Sequence, residues 1–279
     1  MSFAGVPFYH RPRLLLLLAI SGAGLLSVWH LRLAPWDLWG DGERVALLGH
    51  FFAAAGSPAL RSESGLATAM LPRVVQAAAN TVVFATAATS LALVAGTLLG
   101  LLASRRFWAL FATTRAIAPL LHAGVRAVVG LLRSIHEVLW ALMILAAFGL
   151  SPAAAVLAIA IPYSGTFAKI FSEMLDEAGP EASEALRLVG APTLSVFAFG
   201  LVPGALPDMG AYAFYRFECA LRSAAILGFF GFPTLGKLIF EAAGELHFHE
   251  TWTGLYALFA LILAVEWWSG ALRQRLTVA

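Results

Sequence analysis

The sequence predicts an all-α, polytopic membrane protein, and its composition is the first reason. Of its 279 residues, 60% are hydrophobic and only 12% are charged, whereas a soluble domain has about 45–50% apolar and about 25% charged residues. So few charges cannot solvate a globular surface of this size, which excludes a soluble enzyme, a disordered chain and a coiled coil. The net charge of +2 is too small to suggest a nucleic acid as a partner.

The second reason is the number of apolar stretches that are long enough to cross a membrane, which takes about 20 residues per helix. We count about six transmembrane helices, at residues 14–31, 80–103, 135–150, 153–171, 206–230 and 252–272. A signal peptide is the alternative for the first stretch, because basic residues precede its leucines, but no small-x-small cleavage site follows it. In the second stretch, Gly96 and Gly100 form a small face that permits close packing within one subunit or between two.

The distribution of basic residues predicts the orientation of these spans. With the N-terminus inside, 11 of the 18 lysines and arginines face the cytoplasm, 5 lie outside and 2 lie within the fifth span. Both termini are therefore predicted to be cytoplasmic. Residues 1–75 are predicted to hold the first helix and an outer interfacial segment with an amphipathic helix at 45–55, and residues 76–279 to form the transmembrane domain.

The polar stretch between the fourth and fifth spans is predicted to contain a short helix at about 180–190. Pro180 suits the first position of a helix, and Glu181 and Glu184 lie in the first two turns, where the helix dipole favours acids. Gly190 then ends the helix. About 10 residues make a helix roughly 15 Å long, which is too short to cross a bilayer. Two interpretations of this helix are open: a docking element on the cytoplasmic face, or an ordinary connector at the membrane interface.

The residues of this stretch resemble the EAA signature of the permease subunits of ABC importers. The run Glu184-Ala185-Leu186, then Gly190 and Pro203, has the spacing of that signature throughout. The residues that depart from its usual identities are Leu186, Gly200 and Val202. The resemblance implies the type I (MetI-like) importer architecture, with a coupling helix that packs into a cleft of a cytoplasmic ATPase. The residues that it assigns to this coupling are Glu181, Glu184, Ala185, Gly190 and Pro203.

Several further segments are similar to the permeases of phosphonate importers. These are residues 132–137, 140–142, 148–152, 167–169, 214–218, 221–222 and 226–228, and the resemblance covers the chain from residue 71 to the C-terminus. Two departures concern the inferred pathway: Ser223 replaces an acid, and residues 231–236 replace a more glycine-rich outer loop. The implied substrate is therefore a phosphonate or a related small oxyanion such as phosphite, hypophosphite or a phosphate ester. Another small solute, such as an amino acid, is the alternative.

The resemblance also implies the partners and the location of the chain. They are a dimer of cytoplasmic ABC ATPases that binds ATP and magnesium, a periplasmic substrate-binding protein, a second permease subunit that forms a homodimer, and the lipid of a bacterial inner membrane. No cofactor, metal or catalytic residue is expected in this chain itself. Residues 231–238 have the spacing of a phosphate-binding loop, but Leu238 stands where that loop needs a serine or threonine.

The charged residues within the fifth span also indicate a function. A charge at a helix centre costs about 2.5–3.5 kcal/mol on insertion scales, so it usually faces protein or a water-filled cavity. Arg216 lies about 15 Å and Arg222 about 24 Å from the start of the span. Glu218 and Arg222 are four residues apart and are predicted to form an ion pair. A translocation pathway that includes Arg216, Glu218, Arg222 and Ser223 is one interpretation. A structural ion pair beside a snorkelling arginine is the other.

Two other classes of membrane protein were considered. An ion-coupled secondary transporter has repeated halves and acids at the midplane, but this chain has no internal repeat and only Glu218 at that depth. An intramembrane enzyme needs a convergent set of histidines and acids, whereas the histidines here are scattered at the margins of the spans. Copurification with an ATPase distinguishes the importer from both.

Overall fold

The computed structural model of the chain describes residues 12–32, 42–59, 69–110 and 117–278. Parts of the predicted segment 1–75 therefore lie outside the described residues. The chain forms two compact units, Met1–Gly56 and Ser57–Ala279. The first unit contains the helices α1 (Pro12–His30) and α2 (Gly42–Ala54), and α2 lies where the short helix at 45–55 is predicted.

The second unit contains the remaining described helices. They are α3 (Met70–Ala103), α4 (Arg105–Leu110), α5 (Ala118–Ser134), α6 (Glu137–Phe148), α7 (Pro152–Glu177), α8 (Glu181–Leu188), α9 (Thr193–Phe230), α10 (Leu235–Gly244) and α11 (Phe248–Val278). Helix α9 is continuous but irregular, since it contains a π-helical turn (Val196–Leu201) and ends in a 3₁₀ turn (Leu227–Phe230).

The described helices confirm an all-α membrane fold. Four of them are long and apolar enough to cross a bilayer: α3, α7, α9 and residues Phe248–Gln274 of α11. Helices α5 and α6 meet at an angle of 92° and supply a fifth span if they are counted together, while Leu14–His30 is a shorter apolar helix. The count of six spans stays a prediction.

The structure corrects the predicted third span at 135–150. Helix α6 has only 12 residues, or about 18 Å, against a hydrocarbon core of about 30 Å. The break comes at Ile135 and His136, which are both extended, and the His136 side chain accepts a hydrogen bond from the Val138 amide at 3.3 Å. Helix α5, which precedes this break, was missed because its apolar residues occupy only one face.

The core of the second unit forms where α3 packs against α7. A Cβ atom at Gly96 would overlap the Cβ of Phe167, and one at Gly100 would lie 3.1 Å from the Cβ of Phe171. The two glycines therefore serve close packing within the subunit. The ring of Phe167 also meets the ring of Tyr212 edge to face, with centroids 5.9 Å apart, so α9 completes the core.

We predict that Gly96→Leu destabilises the protein, because the new side chain has no space between α3 and α7. Overpacking of this kind costs about 1–3 kcal/mol or more, which lowers the midpoint of thermal unfolding of the purified protein. The matched control is Gly124→Leu on α5, where a Cβ atom meets nothing within 4 Å. Equal midpoints for the two variants would contradict the packing argument.

Candidate functional site

Helix α8 is a short element between α7 and α9 whose C-terminal end is well capped. It follows Pro180, and both Glu181 and Glu184 lie in its first turn. At its end Gly190 has a φ of 78°, in the left-handed region that favours glycine. The Gly190 amide donates to the Arg187 carbonyl and the Ala191 amide to the Leu186 carbonyl, both at 3.0 Å. These two bonds form a Schellman motif, which fixes the direction of the chain after the helix.

The π-helical turn of α9 holds α8 in place. A Cβ atom at Gly200 would lie 2.8 Å from the Cα of Ser183, so only a glycine permits this approach of the two backbones. The Ser183 hydroxyl in turn donates to the Pro180 carbonyl at 2.8 Å. Gly200, which departs from the signature, is therefore explained by the packing of α8 against α9.

A second attachment joins the region before α8 to the end of α3. The Asp176 carboxylate accepts hydrogen bonds from the Ser104 hydroxyl at 2.6 Å and from the amides of Arg105 and Arg106 at 3.2 and 3.1 Å. The Arg106 guanidinium donates to the Ala178 carbonyl. Asp176 thus caps α4, and two spans are tied together directly before α8. Sequence reasoning missed this role because an acid that caps another element leaves no local signal.

The end of α8 exposes apolar side chains that a soluble surface normally avoids. Leu188 is 89% exposed, Val189 79% and Leu194 67%. Glu184 and Arg187 are exposed beside them. Apolar residues rimmed by charge mark an interaction surface. We call Leu188, Val189 and Leu194 the α8 tip.

Of the other residues that the signature assigns to coupling, Glu181 and Ala185 are exposed on α8, and Pro203 is exposed just after the π-helical turn.

The predicted ion pair between Glu218 and Arg222 is wrong. Glu218 is buried, and its carboxylate pairs with the guanidinium of Arg273 on α11 at 3.0 Å. Arg222 is exposed, with a guanidinium nitrogen 4.0 Å from the Cys219 sulfur. The spacing of four residues considers one helix only, and it could not show that α11 brings a second cation to Glu218.

Three helices contribute to a polar cluster in the interior. The Tyr163 hydroxyl lies 2.9 Å from the Ser223 hydroxyl, which donates to the Glu137 carboxylate at 2.7 Å. The guanidinium carbon of Arg216 lies 4.0 Å from the centroid of the Tyr163 ring, a cation–π contact. We call Glu137, Tyr163, Arg216 and Ser223 the interior cluster.

The interior cluster contains two of the four predicted pathway residues, Arg216 and Ser223. Arg222 and Glu218 form none of the cluster contacts given above. Within the described part of the chain, the Nε atom of Arg216 is buried without a hydrogen-bond partner. Sequence reasoning missed Tyr163 altogether, and the signal for Glu137 was its position in a segment similar to the phosphonate permeases.

The family follows from a comparison with known proteins. The family described as "Binding-protein-dependent transport system inner membrane component" matches residues 64–278, and the chain belongs to it. With several apolar helices that are long enough to cross a bilayer, the chain is a multi-pass membrane protein.

Two relatives illustrate the similarity. The chain is 30% identical over 200 residues to the phosphate-import permease protein PhnE of Mycolicibacterium smegmatis, a match that covers 72% of this chain and 36% of the relative. It is 26% identical over 181 residues to the phosphite transport system permease protein PtxC of Stutzerimonas stutzeri, which covers 65% of this chain and 66% of the relative. The chain thus spans about a third of the first relative and under two thirds of the second.

Two solved structures share the fold. An inward-facing structure of the MetNI methionine ABC transporter has a TM-score of 0.62 at 19% identity and covers 74% of this chain and 97% of the solved chain. The crystal structure of an amino acid ABC transporter with histidines has a TM-score of 0.62 at 17% identity, with 74% and 94% covered. At these identities the likeness concerns the fold alone.

The corrected ion pair leads to a prediction. Glu218→Gln or Arg273→Gln, each alone, should destabilise the protein, because removal of one partner of a buried pair costs about 3–5 kcal/mol. The double variant should recover part of that loss, and thermal unfolding of the four proteins measures the coupling. Arg222→Gln is the matched control. A larger loss from Arg222→Gln than from Arg273→Gln would restore the pair first predicted.

Proposed function

We propose that the chain is the membrane permease subunit of an ATP-driven ABC importer that carries a small phosphorus oxyanion from the periplasm to the cytoplasm. The proposed substrate class rests on one observation. About two thirds or more of this chain is similar to permeases named for phosphate import and for phosphite transport. Phosphonate, phosphite, hypophosphite and phosphate esters are the candidates. The ATP and magnesium are bound by a separate ATPase dimer.

The proposed docking element for this ATPase is α8 with its exposed tip. Its support is the combination of exposed Leu188 and Val189 with a rigid attachment to the rest of the chain. Gly200 ties α8 to α9, and Asp176 ties the preceding residues to α3 and α4. A displacement of α8 by a partner would therefore move two spans together. This assignment places α8 and both termini in the cytoplasm.

The proposed translocation pathway passes the interior cluster. An arginine whose Nε atom has no partner among the described residues offers positive charge and a donor to a passing anion. Intramembrane charge of this kind usually faces protein or a water-filled cavity and marks a pathway. A second permease subunit, as a homodimer, and a periplasmic binding protein complete the proposed assembly.

A transport assay tests the pathway. In liposomes that contain the complete complex, Arg216→Met should lower the uptake of labelled phosphite or methylphosphonate at least about tenfold per folded molecule, since a hydrogen bond to a charged group contributes about 1.5–3 kcal/mol. Methionine keeps much of the length and apolar bulk of arginine while removing the charge. Arg216→Lys, which restores the charge, should recover part of the rate. Wild-type uptake by Arg216→Met, or uptake of an amino acid instead, would contradict the proposal.

The docking role is tested separately by charging the α8 tip. Leu188→Asp with Val189→Asp should abolish copurification of the ATPase subunit and ATP-dependent uptake, because both side chains lose their apolar contact with the partner. The variant should still insert into the membrane, since neither side chain packs against the rest of the chain. Leu150→Asp, which is also exposed and lies at the other end of α7, is the matched control. Undiminished ATPase capture by the charged tip would refute docking through α8.

A further inference from the structure

A second set of basic side chains surrounds a cavity that the proposed function does not use. The cavity has a volume of about 230 Å³ and lies where the end of α3 meets α5 and α7. Three cations line it, Arg126 and Arg133 from α5 and Lys169 from α7, together with the small residues Gly130 and Ser172. We call it the basic cavity.

Helix geometry brings these cations to one place. Arg126 and Arg133 are seven residues apart on α5, which is two turns, so they lie on the same face with Gly130 between them. Helix α5 approaches α7 closely at Gly165, where a Cβ atom would lie 2.6 Å from the Cβ of Leu132 and 3.2 Å from the Cγ of Arg133. Lys169 follows Gly165 by one turn and therefore faces the same cavity.

The floor of the basic cavity is apolar and well packed. Ala103, Val129 and Ala168 form a buried cluster of their own below it. The His122 ring lies 3.1 Å from the Ala103 carbonyl, a hydrogen bond that ties α5 to the end of α3. These contacts fix the positions of the three helices around the cavity.

The described acids near the basic cavity pair with Lys169 but not with its two arginines. Lys169 pairs with Glu173 on its own helix and also lies within the field of Glu177. Asp176 is occupied by its hydrogen bonds to the end of α3 and the start of α4. Both Arg126 and Arg133 repel Lys169 electrostatically. Within the described part of the chain neither arginine forms an ion pair, so the charges of Arg126 and Arg133 are not compensated there.

We propose that the basic cavity binds a phosphate-type group, a tetrahedral oxyanion with up to two negative charges. Two guanidinium groups supply planar pairs of donors that match such oxygens, and the ammonium group of Lys169 adds a third charge. Removal of the repulsion among the three cations adds to the gain. Lys169 lies eight residues, or about 12 Å, before the end of α7. The cavity therefore lies toward the end of the spans that carries α8.

Two sources supply this chemistry at that position. One is the transported phosphorus oxyanion after it has passed the interior cluster, an assignment that rests on the proposed function. The other is the headgroup phosphate of an anionic lipid in the adjacent leaflet. Both require the same three cations, so one pair of variants tests the site and the choice of ligand separates the sources.

The test measures binding directly, without transport. The full-length chain in nanodiscs of phosphatidylcholine alone is titrated with labelled inorganic phosphate. In a second arm the nanodiscs also contain phosphatidylglycerol, and the lipids that copurify after detergent extraction are identified by mass spectrometry. Saturable phosphate binding in the first arm assigns the site to the free anion, and retention of phosphatidylglycerol in the second assigns it to the lipid.

Two variants remove the site in different ways. Arg126→Gln with Arg133→Gln should weaken either ligand about tenfold or more. Gly130→Leu leaves all three cations in place but fills the cavity, and it should weaken binding as well. A Cβ atom at Gly130 meets nothing within 4 Å, so we expect this variant to fold. It therefore tests the site even if the double arginine variant does not fold. Arg105→Gln, an exposed arginine outside the cavity, is the matched control and should bind as the wild type does.

The inference is overturned if the wild type retains neither phosphate nor phosphatidylglycerol better than these two variants do. Uptake by the complete complex is recorded alongside. Normal uptake of a phosphorus oxyanion without ligand at the basic cavity refutes this site and leaves the proposed function intact. Retention of phosphatidylglycerol by a protein that transports no phosphorus oxyanion supports the site and refutes the proposed function.

Discussion

The constraint on which the interior of this protein depends is that a polar or charged side chain within a bilayer must find its partner inside the protein. Glu218 finds Arg273, which fixes α9 against α11. Glu137 and Tyr163 form hydrogen bonds with Ser223, which hold α6 and α7 against α9. Neither arrangement can slide by one residue without leaving a buried charge or hydroxyl unpaired. Polar pairs therefore fix the register of α9 against α7 and α11, in addition to the glycine packing that fixes α3 against α7.

Helix α9 connects the exposed surface with this interior. Its π-helical turn contacts α8 through Gly200, and the same helix carries Arg216 at 16 residues, or about 24 Å, from that contact. Both ends belong to one helix, so in the proposed transport cycle a rotation or shift of the π-helical turn changes the position of Arg216 over the Tyr163 ring. In the proposed transport cycle, this helix transmits the motion of the ATPase to the pathway.

Local signals in the sequence were sufficient for some features. Composition and apolar length predicted the membrane fold, and the proline, acids and glycine around residues 180–190 predicted α8 and its cap. These features depend on interactions within about ten residues, which a single sequence displays. The resemblance to the EAA signature supplied the importer family, and the similarity to phosphonate permeases narrowed it, whereas the helix pattern alone favoured an ordinary connector over a docking element.

Features that depend on two elements could not be predicted in this way. The pairing of Glu218 with Arg273 joins residues that are 55 positions apart, and the spacing rule favoured Arg222 because it is local. Tyr163 has no unusual neighbours in the sequence, and its role comes from the approach of α9. Helix α5 was overlooked because its arginines and histidine interrupt the apolar count, although those same arginines border the basic cavity.

The positions of the cations suggest why several weak sites suit the proposed transport better than one strong site. Arg216 lies against the Tyr163 ring, and Arg133 shares the basic cavity with Arg126 and Lys169. In the proposed transport cycle, the basic cavity offers an anion that leaves Arg216 a second cationic site, toward the end of the spans that carries α8. Conduction requires binding that is favourable enough to admit the ion and weak enough to release it, and successive sites satisfy both conditions. One site that collected all these charges would hold a dianion too tightly to let it leave.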